Sequence, residues 1–223
     1  MSGYVWPSDT AAARRLQHEL SQRIRIHPLR KNPSYIAGVD AAFEGDLVIA
    51  VASLFEFPSL LHVADAVSRE RVAFPYVPGF LSFREGRAII SAVRKLKLLP
   101  DVLIVDGQGI AHPLGIGIAS HIGVLLDTPA IGCAKSRLVG EYFEPGLEKG
   151  QWSPLMYKDE QVGAVLRTRY KVKPVFVSPG HLIDLNSSID IVLHSLTLYR
   201  IPEPIGRADH LSKELARKKM SAQ

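Results

Sequence analysis

Two strongly apolar stretches of this chain each carry an aspartate. Asp40 lies within YIAGVDAAF, and Asp106 ends the apolar run DVLIVD. Apolar, β-branched stretches of this kind are typical of buried central strands. A lone carboxylate in such a strand is costly unless a cation or hydrogen bonds compensate for its burial. The pair of aspartates therefore predicts a shared divalent metal ion.

Glu85 is the candidate for a third carboxylate at this site. It lies in the predicted helix FLSFREGRAIISAVRKL. The residues three, four and seven positions away, which share its helical face, are Leu81, Ala88, Ile89 and Ala92. A glutamate set into an apolar stripe indicates a side chain directed at the aspartate site. The alternative is a partly exposed glutamate paired with Arg84 or Arg87.

Three hard oxygen ligands favour Mg²⁺, with Mn²⁺ as a substitute, over zinc. The chain has one cysteine, Cys133, which excludes an internal disulfide framework and a cysteine-rich zinc site. Asp106 ends its predicted strand and is followed by Gly107, and ligands gather at the carboxyl ends of strands in α/β sheets. A metal in this setting activates water for phosphodiester cleavage. The alternative for Asp106 is a structural cap of the next turn.

Three histidines are weaker candidates. His210, at the start of a basic helix, is a possible further ligand or proton carrier. A lone histidine is more often structural, and the same holds for His112 and His121 on spacing alone.

The segment FPYVPG, residues 74–79, predicts a stiff loop. Pro75 and Pro78 bracket Tyr76 and restrict the backbone on both sides of it. A rigid loop that presents an aromatic ring can act as a wedge that unstacks bases. The alternative is that the ring folds back onto the core.

Composition indicates a globular protein with one domain over residues 1–223. Hydrophobic residues make up 47% and charged residues 22%, and no stretch is long enough for a membrane span. The N-terminus lacks the apolar core of a signal peptide, so a cytoplasmic location is expected. The net charge of +5 is compatible with a nucleic-acid partner. The basic residues concentrate near the two ends, at Arg14, Arg15, Arg23, Arg25, Arg207, Lys213, Arg217, Lys218 and Lys219. The alternative is a solvated helix face and a cationic tail.

The order of predicted elements indicates an α/β fold with a mixed sheet. A first helix, with Ser8 or Asp9 as its N-cap, precedes three strands separated by short breaks, as in an antiparallel meander. Helices and strands then alternate, which implies parallel packing. The predicted helices are 8–26, 80–97, 116–126, 187–197 and 207–219, and the predicted strands are 35–43, 47–57, 61–73, 101–106, 129–134, 162–169 and 174–178. The segment SPGHLID, 178–184, is predicted as a turn. Three antiparallel strands followed by parallel strands, flanked by helices, match the ribonuclease H-like arrangement by analogy.

Six motifs give the chain a close resemblance to the endonuclease V family. They are YIAGVDAAF, FPYVPGFLSFREG, PDVLIVDGQGIAHP, GIASHIGVLLDTPAIGCAKSRLVG, PVFVSPGHLIDL and RIPEPIGRADHL, and they run from about residue 35 to 215. The resemblance implies a ribonuclease H-like fold and Mg²⁺-dependent nicking of DNA that contains deoxyinosine. The implied cut is at the second phosphodiester bond 3′ to the lesion, leaving a 3′-hydroxyl and a 5′-phosphate. The alternatives are an endoribonuclease specific for inosine in RNA and a catalytically silent lesion-binding protein.

The resemblance also implies roles for individual residues. Asp40 and Asp106 would bind the metal directly, Glu85 would hold the metal or its water, and His210 would assist as ligand or proton carrier. Tyr76, between Pro75 and Pro78, matches the wedge. Residues near the base pocket would be Gly79, Leu81 and Gly107, and those near the cleaved strand would be His112 and Lys135.

Lys135 would stabilise phosphate charge in this interpretation. The chain departs from the family at Leu114, where members commonly carry an arginine after His-Pro. The expected partners are DNA containing deoxyinosine and inosine RNA, with no membrane, and the protein is expected to act as a monomer.

Overall fold

A computed structural model describes residues 4–220 of the chain, with side chains described as far as residue 217. Lys218 and Lys219 of the predicted cationic tail therefore lie outside the described side chains. Within residues 4–220, eight strands form one mixed sheet, and five helices flank it. The helices are α1 (Thr10–Ser21), α2 (Leu81–Arg94), α3 (Ile118–Leu126), α4 (Leu185–His194) and α5 (Glu203–Met220). The strands are β1 (Tyr35–Glu44), β2 (Leu47–Glu56), β3 (His62–Arg71), β4 (Val102–Val105), β5 (Ala130–Ala134), β6 (Trp152–Tyr157), β7 (Glu160–Leu166) and β8 (Val175–His181).

The strand order across the sheet is β3-β2-β1-β4-β5-β8-β7-β6. The first three strands form an antiparallel meander, and β1, β4 and β5 are mutually parallel neighbours. The last three strands return antiparallel, with β8 against β5 and β7 between β8 and β6. The predicted mixed sheet of three antiparallel strands followed by parallel strands is confirmed.

The predicted elements differ from the structure at several boundaries. Strand β6 was not predicted. It contains Pro154, a residue that is uncommon in strands, and it lies at the edge of the sheet, where the missing N–H of proline removes no hydrogen bond between strands. The prediction of a turn at 178–184 was wrong for its first half, since β8 continues to His181. Helix α1 is shorter than predicted, and its N-cap is Asp9, whose carboxylate accepts a hydrogen bond from the Ala12 amide (2.8 Å).

Helices cover both faces of the sheet. On one face α2 and α3 pack on the central strands, where Ala88 and Ile89 of α2 are fully buried. On the other face α4 and α5 cover a second core cluster that includes Ile205 of α5. Side chains alternate between the two faces of a strand, so β1 contributes residues to both core clusters. Asp40 is four residues after Ile36 and therefore points to the same face, the one that α5 covers. No helix within residues 4–220 is both long and apolar enough to cross a membrane.

The start of α5 lies directly on β1 at Gly38. A Cβ atom added to Gly38 would lie 2.1 Å from the carbonyl carbon of Pro204 and 2.3 Å from the backbone nitrogen of Ile205. This contact is possible only because Gly38 has no side chain. Glycine at this position therefore sets how closely α5 approaches the strand that carries Asp40.

We predict that Gly38→Ala destabilises the protein by about 3 kcal/mol, because two backbones must separate to admit the methyl group. Urea unfolding followed by circular dichroism measures the change. The matched control is Gly206→Ala on α5, where a Cβ meets nothing within 4 Å and alanine is the better helix former. Equal stability of the Gly38→Ala protein and the wild type would show that the packing of α5 on β1 is looser than described.

Candidate active site

Asp40 and Asp106 lie side by side where two parallel strands diverge. Val39 of β1 is opposite Val105 of β4, so each aspartate is the next residue along its strand. The Asp106 amide donates a hydrogen bond to the Val39 carbonyl (3.2 Å) and ends the pairing. Strand β1 continues beyond this point while β4 has ended. Asp106 thus lies at the carboxyl end of β4, as predicted, and Asp40 lies beside it within β1.

Asp209 of α5 completes a cluster of three carboxylates. One oxygen from each of Asp40, Asp106 and Asp209 lies within 4.8 Å of the others. Ser212, one turn further along α5, donates a hydrogen bond from its hydroxyl to Asp40 Oδ2 (3.1 Å). Three carboxylate oxygens converging in this way are the donor set that a hard divalent cation prefers. The residues present therefore fit a divalent metal ion.

Two lysines partly neutralise the cluster. Lys135 Nζ lies 2.6 Å from Asp106 Oδ2 and 2.8 Å from Asp209 Oδ1, and Lys213 Nζ lies 2.7 Å from both oxygens of Asp209. Burial acts to lower the pKa of Lys135, but its two carboxylate partners outweigh this and raise the pKa above its ordinary value. Burial acts to raise the pKa of Asp209, but the two lysines outweigh it and the pKa is lowered. Lys135 and Asp209 therefore both stay charged.

Asp40 and Glu85 show the opposite effect, since their pKa values are raised. Burial, reinforced by the charges of Asp106 and Asp209, raises the pKa of Asp40 to about 6. Burial, reinforced by the charges of Asp40 and Asp106, raises the pKa of Glu85 to about 8. The charges of Asp40 and Asp106 act on Glu85, but Glu85 is not one of the three converging carboxylates. Its predicted role in holding the metal or its water stays a prediction.

His210 is not brought to the cluster. Its side chain is 82% exposed, and its Nε2 lies 3.9 Å from Glu214 of the next turn. Sequence reasoning missed the adjacent Asp209. Successive residues of a helix point about 100° apart, whereas residues at spacings of three and four share a face. The spacing of Asp209, Ser212 and Lys213 was the signal that could have found this face.

A cavity of about 440 Å³ adjoins the carboxylates. Asp106 and Lys135 belong to its wall as well as to the cluster. The other lining residues are Tyr76, Val77, Pro78, Gly79, Leu81, Ser82, Gly107, Gln108, His112, Ile116, Gly117, Ile118, Ala134, Ser136, Arg137 and Leu138. Of the predicted substrate-binding residues, all but Pro75 line this cavity, and Pro75 immediately precedes Tyr76. The structure thus brings the predicted substrate-binding residues together around one cavity.

The predicted wedge loop stands at the mouth of the cavity. Tyr76 is 71% exposed, so its ring does not fold back onto the core. Gly79 adopts a left-handed backbone (φ +84°) that favours glycine. Its carbonyl accepts hydrogen bonds from Gln17 Nε2 (2.8 Å) and His112 Nε2 (3.1 Å). The end of the loop is therefore fixed, while the tyrosine is free to contact a ligand.

His112 is a neutral donor in this arrangement. The Leu114 amide donates to its Nδ1 (3.2 Å), so the ring proton resides on Nε2 and is donated to Gly79. Burial lowers the pKa of His112, although the bond to Gly79 opposes this effect. The ring is thus one wall of the cavity, held between two backbone groups.

His121 lies behind the cavity wall and is structural. Its ring is buried and lies between the Tyr4 hydroxyl (2.6 Å from Nε2) and the Ser82 hydroxyl (2.9 Å from Nδ1), with Trp6 stacked on it. Burial lowers the pKa of His121 to about 3. This neutral histidine ties the N-terminal segment to the first turn of α2, which carries Leu81 and Glu85.

The sheet order and the carboxylate cluster beside the end of β4 place this chain in the class of ribonuclease H-like nucleases. The sequence model of the family described as Endonuclease V matches residues 18–210. This chain belongs to the endonuclease V family.

Relatives in this family match nearly the whole length of the chain. Endonuclease V of Geotalea uraniireducens is 51% identical over 215 residues, covering 96% of this chain and 92% of that protein. The crystal structure of endonuclease V from Streptomyces avermitilis superposes with a TM-score of 0.92 at 39% identity, covering 96% of each chain. The structure of Ciona intestinalis endonuclease V in complex with a 24-mer DNA containing an inosine followed by a ribo-adenosine superposes with a TM-score of 0.81. It is 29% identical and covers 93% of this chain and 98% of that one.

We predict that Asp209→Asn weakens Mn²⁺ binding about tenfold or more, because one of three converging anionic ligands is lost. Isothermal titration calorimetry measures the affinity. His210→Ala is the matched comparison on the same helix, and it should leave the affinity within about twofold. A loss in His210→Ala as large as that in Asp209→Asn would instead make His210 a ligand.

A second prediction is that metal binding releases a proton from Glu85. With its pKa near 8, Glu85 is mostly protonated at pH 7 in the metal-free protein, and a bound cation favours its ionised form. Metal binding should therefore release about one proton at pH 7, and affinity should rise with pH up to about 8. Calorimetry in buffers of different ionisation enthalpy counts the protons. Glu85→Gln should abolish the release, while Glu160→Gln at the exposed start of β7 should not. Release that persists undiminished in Glu85→Gln would assign the proton to another group.

Proposed function

We propose that this protein is a DNA repair endonuclease that nicks DNA containing deoxyinosine. The proposed cut is a Mg²⁺-dependent hydrolysis of the second phosphodiester bond 3′ to the lesion, leaving a 3′-hydroxyl and a 5′-phosphate. The observation that carries the proposal is the shared wall between cavity and carboxylates. Asp106 and Lys135 belong to both, so a base in the cavity places the backbone that follows it beside the cluster.

Family membership and the Ciona complex support the choice of substrate. That relative binds DNA with an inosine, and its fold superposes over 93% of this chain. Enzymes that act at a base in a duplex turn the nucleotide out of the stack. An exposed Tyr76 on a loop stiffened by Pro75 and Pro78 is suited to fill the gap that the base leaves.

The cavity offers backbone groups that suit hypoxanthine. Hypoxanthine differs from adenine in bearing O6 and an N1–H, so it needs a donor and an acceptor where adenine needs the reverse. Glycines at Gly79 and Gly107 leave the backbone accessible to a base edge. A Cβ at Gly107 would also collide with Ile118 Cγ2 at 2.4 Å. We infer that the amide and carbonyl groups near these positions read the base.

The carboxylates and Lys135 would carry the chemistry. A divalent ion, held by Asp40, Asp106 and Asp209, would lower the pKa of a water and stabilise charge on the leaving oxygen. Glu85 has a pKa near 8 in the metal-free protein and lies beside Asp40 and Asp106, so it is suited to accept and hold a proton. Lys135 remains charged and would donate hydrogen bonds to a phosphate oxygen near Asp106.

We predict that incubation with a duplex carrying one deoxyinosine and Mg²⁺ gives a nick at the second bond 3′ to the lesion. End-labelled substrate run beside a sequence ladder fixes the position. Asp40→Asn should lower the single-turnover rate by roughly a thousandfold or more, since it removes an anionic ligand. The matched control is Asp190→Asn, an exposed aspartate on α4. A cut elsewhere, or an Asp40→Asn protein that cleaves at the wild-type rate, would rule out the proposed chemistry.

The same substrate made with inosine in RNA separates the endoribonuclease alternative. The 2′-hydroxyl is the chief difference between the two at the site. Faster cleavage of the RNA would reassign the substrate while leaving the carboxylate chemistry intact. Binding of deoxyinosine DNA with no product in Mg²⁺ or Mn²⁺ would favour the silent lesion-binding protein.

A further inference from the structure

Helix α1 presents a basic face to solvent. Its buried residues are Ala13, Gln17 and Leu20, which pack toward the core. Arg14, Arg15 and His18 are exposed on the side of the helix away from these residues. Together with Ala11 and Glu19 they border a shallow surface depression. The fold thus turns two arginines and a histidine outward over one turn of helix.

This face lies next to the wedge loop and the cavity. The depression also includes Leu114, whose amide is bonded to His112 of the cavity wall. Gln17 of α1 donates to the carbonyl of Gly79, at the end of the wedge loop. The guanidinium carbon of Arg14 lies 6.0 Å from the centre of the Phe80 ring. A strand that enters the cavity beside Tyr76 therefore passes within reach of α1.

The charges of the face are available. Within the part of the chain that the structure describes, neither Arg14 nor Arg15 forms an ion pair or a hydrogen bond. Leu114 is 43% exposed and adds no charge to the depression. Glu19 is the acidic residue of its lining, so the two arginines leave the face positive. An unpaired guanidinium can bind phosphate oxygens with two parallel hydrogen bonds.

We propose that the α1 face formed by Arg14 and Arg15 binds the phosphate backbone beside the extruded nucleotide. The inference rests on the proposed function and adds to it a contact surface outside the cavity and the carboxylate cluster. The contacts go to phosphates, so they add affinity without reading sequence. In this chain α1 supplies the positive charge next to Leu114.

The test uses the double variant Arg14→Ala/Arg15→Ala in single-turnover nicking with enzyme in excess. The half-saturating enzyme concentration should rise about tenfold at 0.1 M salt, while the maximal rate stays within about twofold. Between 50 and 200 mM salt, the slope of log affinity against log salt should shrink by about 2, at about 0.9 for each lost phosphate contact. The control, Arg94→Ala/Lys97→Ala, removes two exposed cations, one at the far end of α2 and one just after it, about 20 Å from the first turn of that helix. It should change neither quantity.

A rescue makes the test specific to this depression. Leu114→Arg, added to the double variant, places a cation in the same depression and should restore about 0.9 of the salt slope. An unchanged slope and half-saturation point in Arg14→Ala/Arg15→Ala would overturn the proposal, as would a fall in maximal rate without a change in affinity. Fluorescence anisotropy on the deoxyinosine duplex without added metal gives the same slope without cleavage. If the wild type makes no cut, the proposed function fails, and this binding comparison still decides whether α1 contacts phosphate.

Discussion

The mutual repulsion of carboxylates gathered in a partly buried place is the constraint on which the site depends. The raised pKa values of Asp40 and Glu85 show that burial and neighbouring charge disfavour ionisation there. Lys135 and Lys213 offset part of this, and Ser212 offsets a further part by donating to Asp40. A cluster that remains strained in the presence of two lysines favours any further cation that can reach it. The carboxylate cluster of the folded chain therefore suits a divalent ion.

Such a cluster persists only if the elements that carry it cannot separate. The α5 helix is held against β1 by the close contact at Gly38. It is also held to β3, since Arg207 forms a bidentate pair with Asp65, with a shortest distance of 2.6 Å. On the opposite face, α2 is fixed by its buried apolar stripe and by the hydrogen bond between Ser82 and His121. The site therefore draws on both layers of helices, and the repulsion among its charges is balanced by packing.

Much of this was predictable from the sequence, and the misses have physical causes. Asp40, Glu85 and Asp106 are polar residues in apolar patterns, and that anomaly of burial is visible without coordinates. Asp209 lies in a helix rich in polar residues, where one more aspartate is unremarkable until tertiary packing turns its face toward Asp40. The edge strand β6 was hidden by Pro154, because local rules disfavour proline in a strand and only the sheet order shows an edge. Local patterns thus identified the residues that are costly to bury, whereas the partner supplied by a distant helix required the fold.

Cations and carboxylates serve different purposes at this site. A polyanionic strand is repelled by carboxylates, so its attraction must come from cations set around the cluster. Lys135 lies at the cluster itself, while Arg14 and Arg15 of α1 lie beyond the wedge loop and act over about a Debye length, near 8 to 10 Å at physiological salt. Capture and chemistry are therefore assigned to different residues. Changes on the α1 face affect how readily a strand arrives, and changes at the carboxylates affect what happens after its arrival.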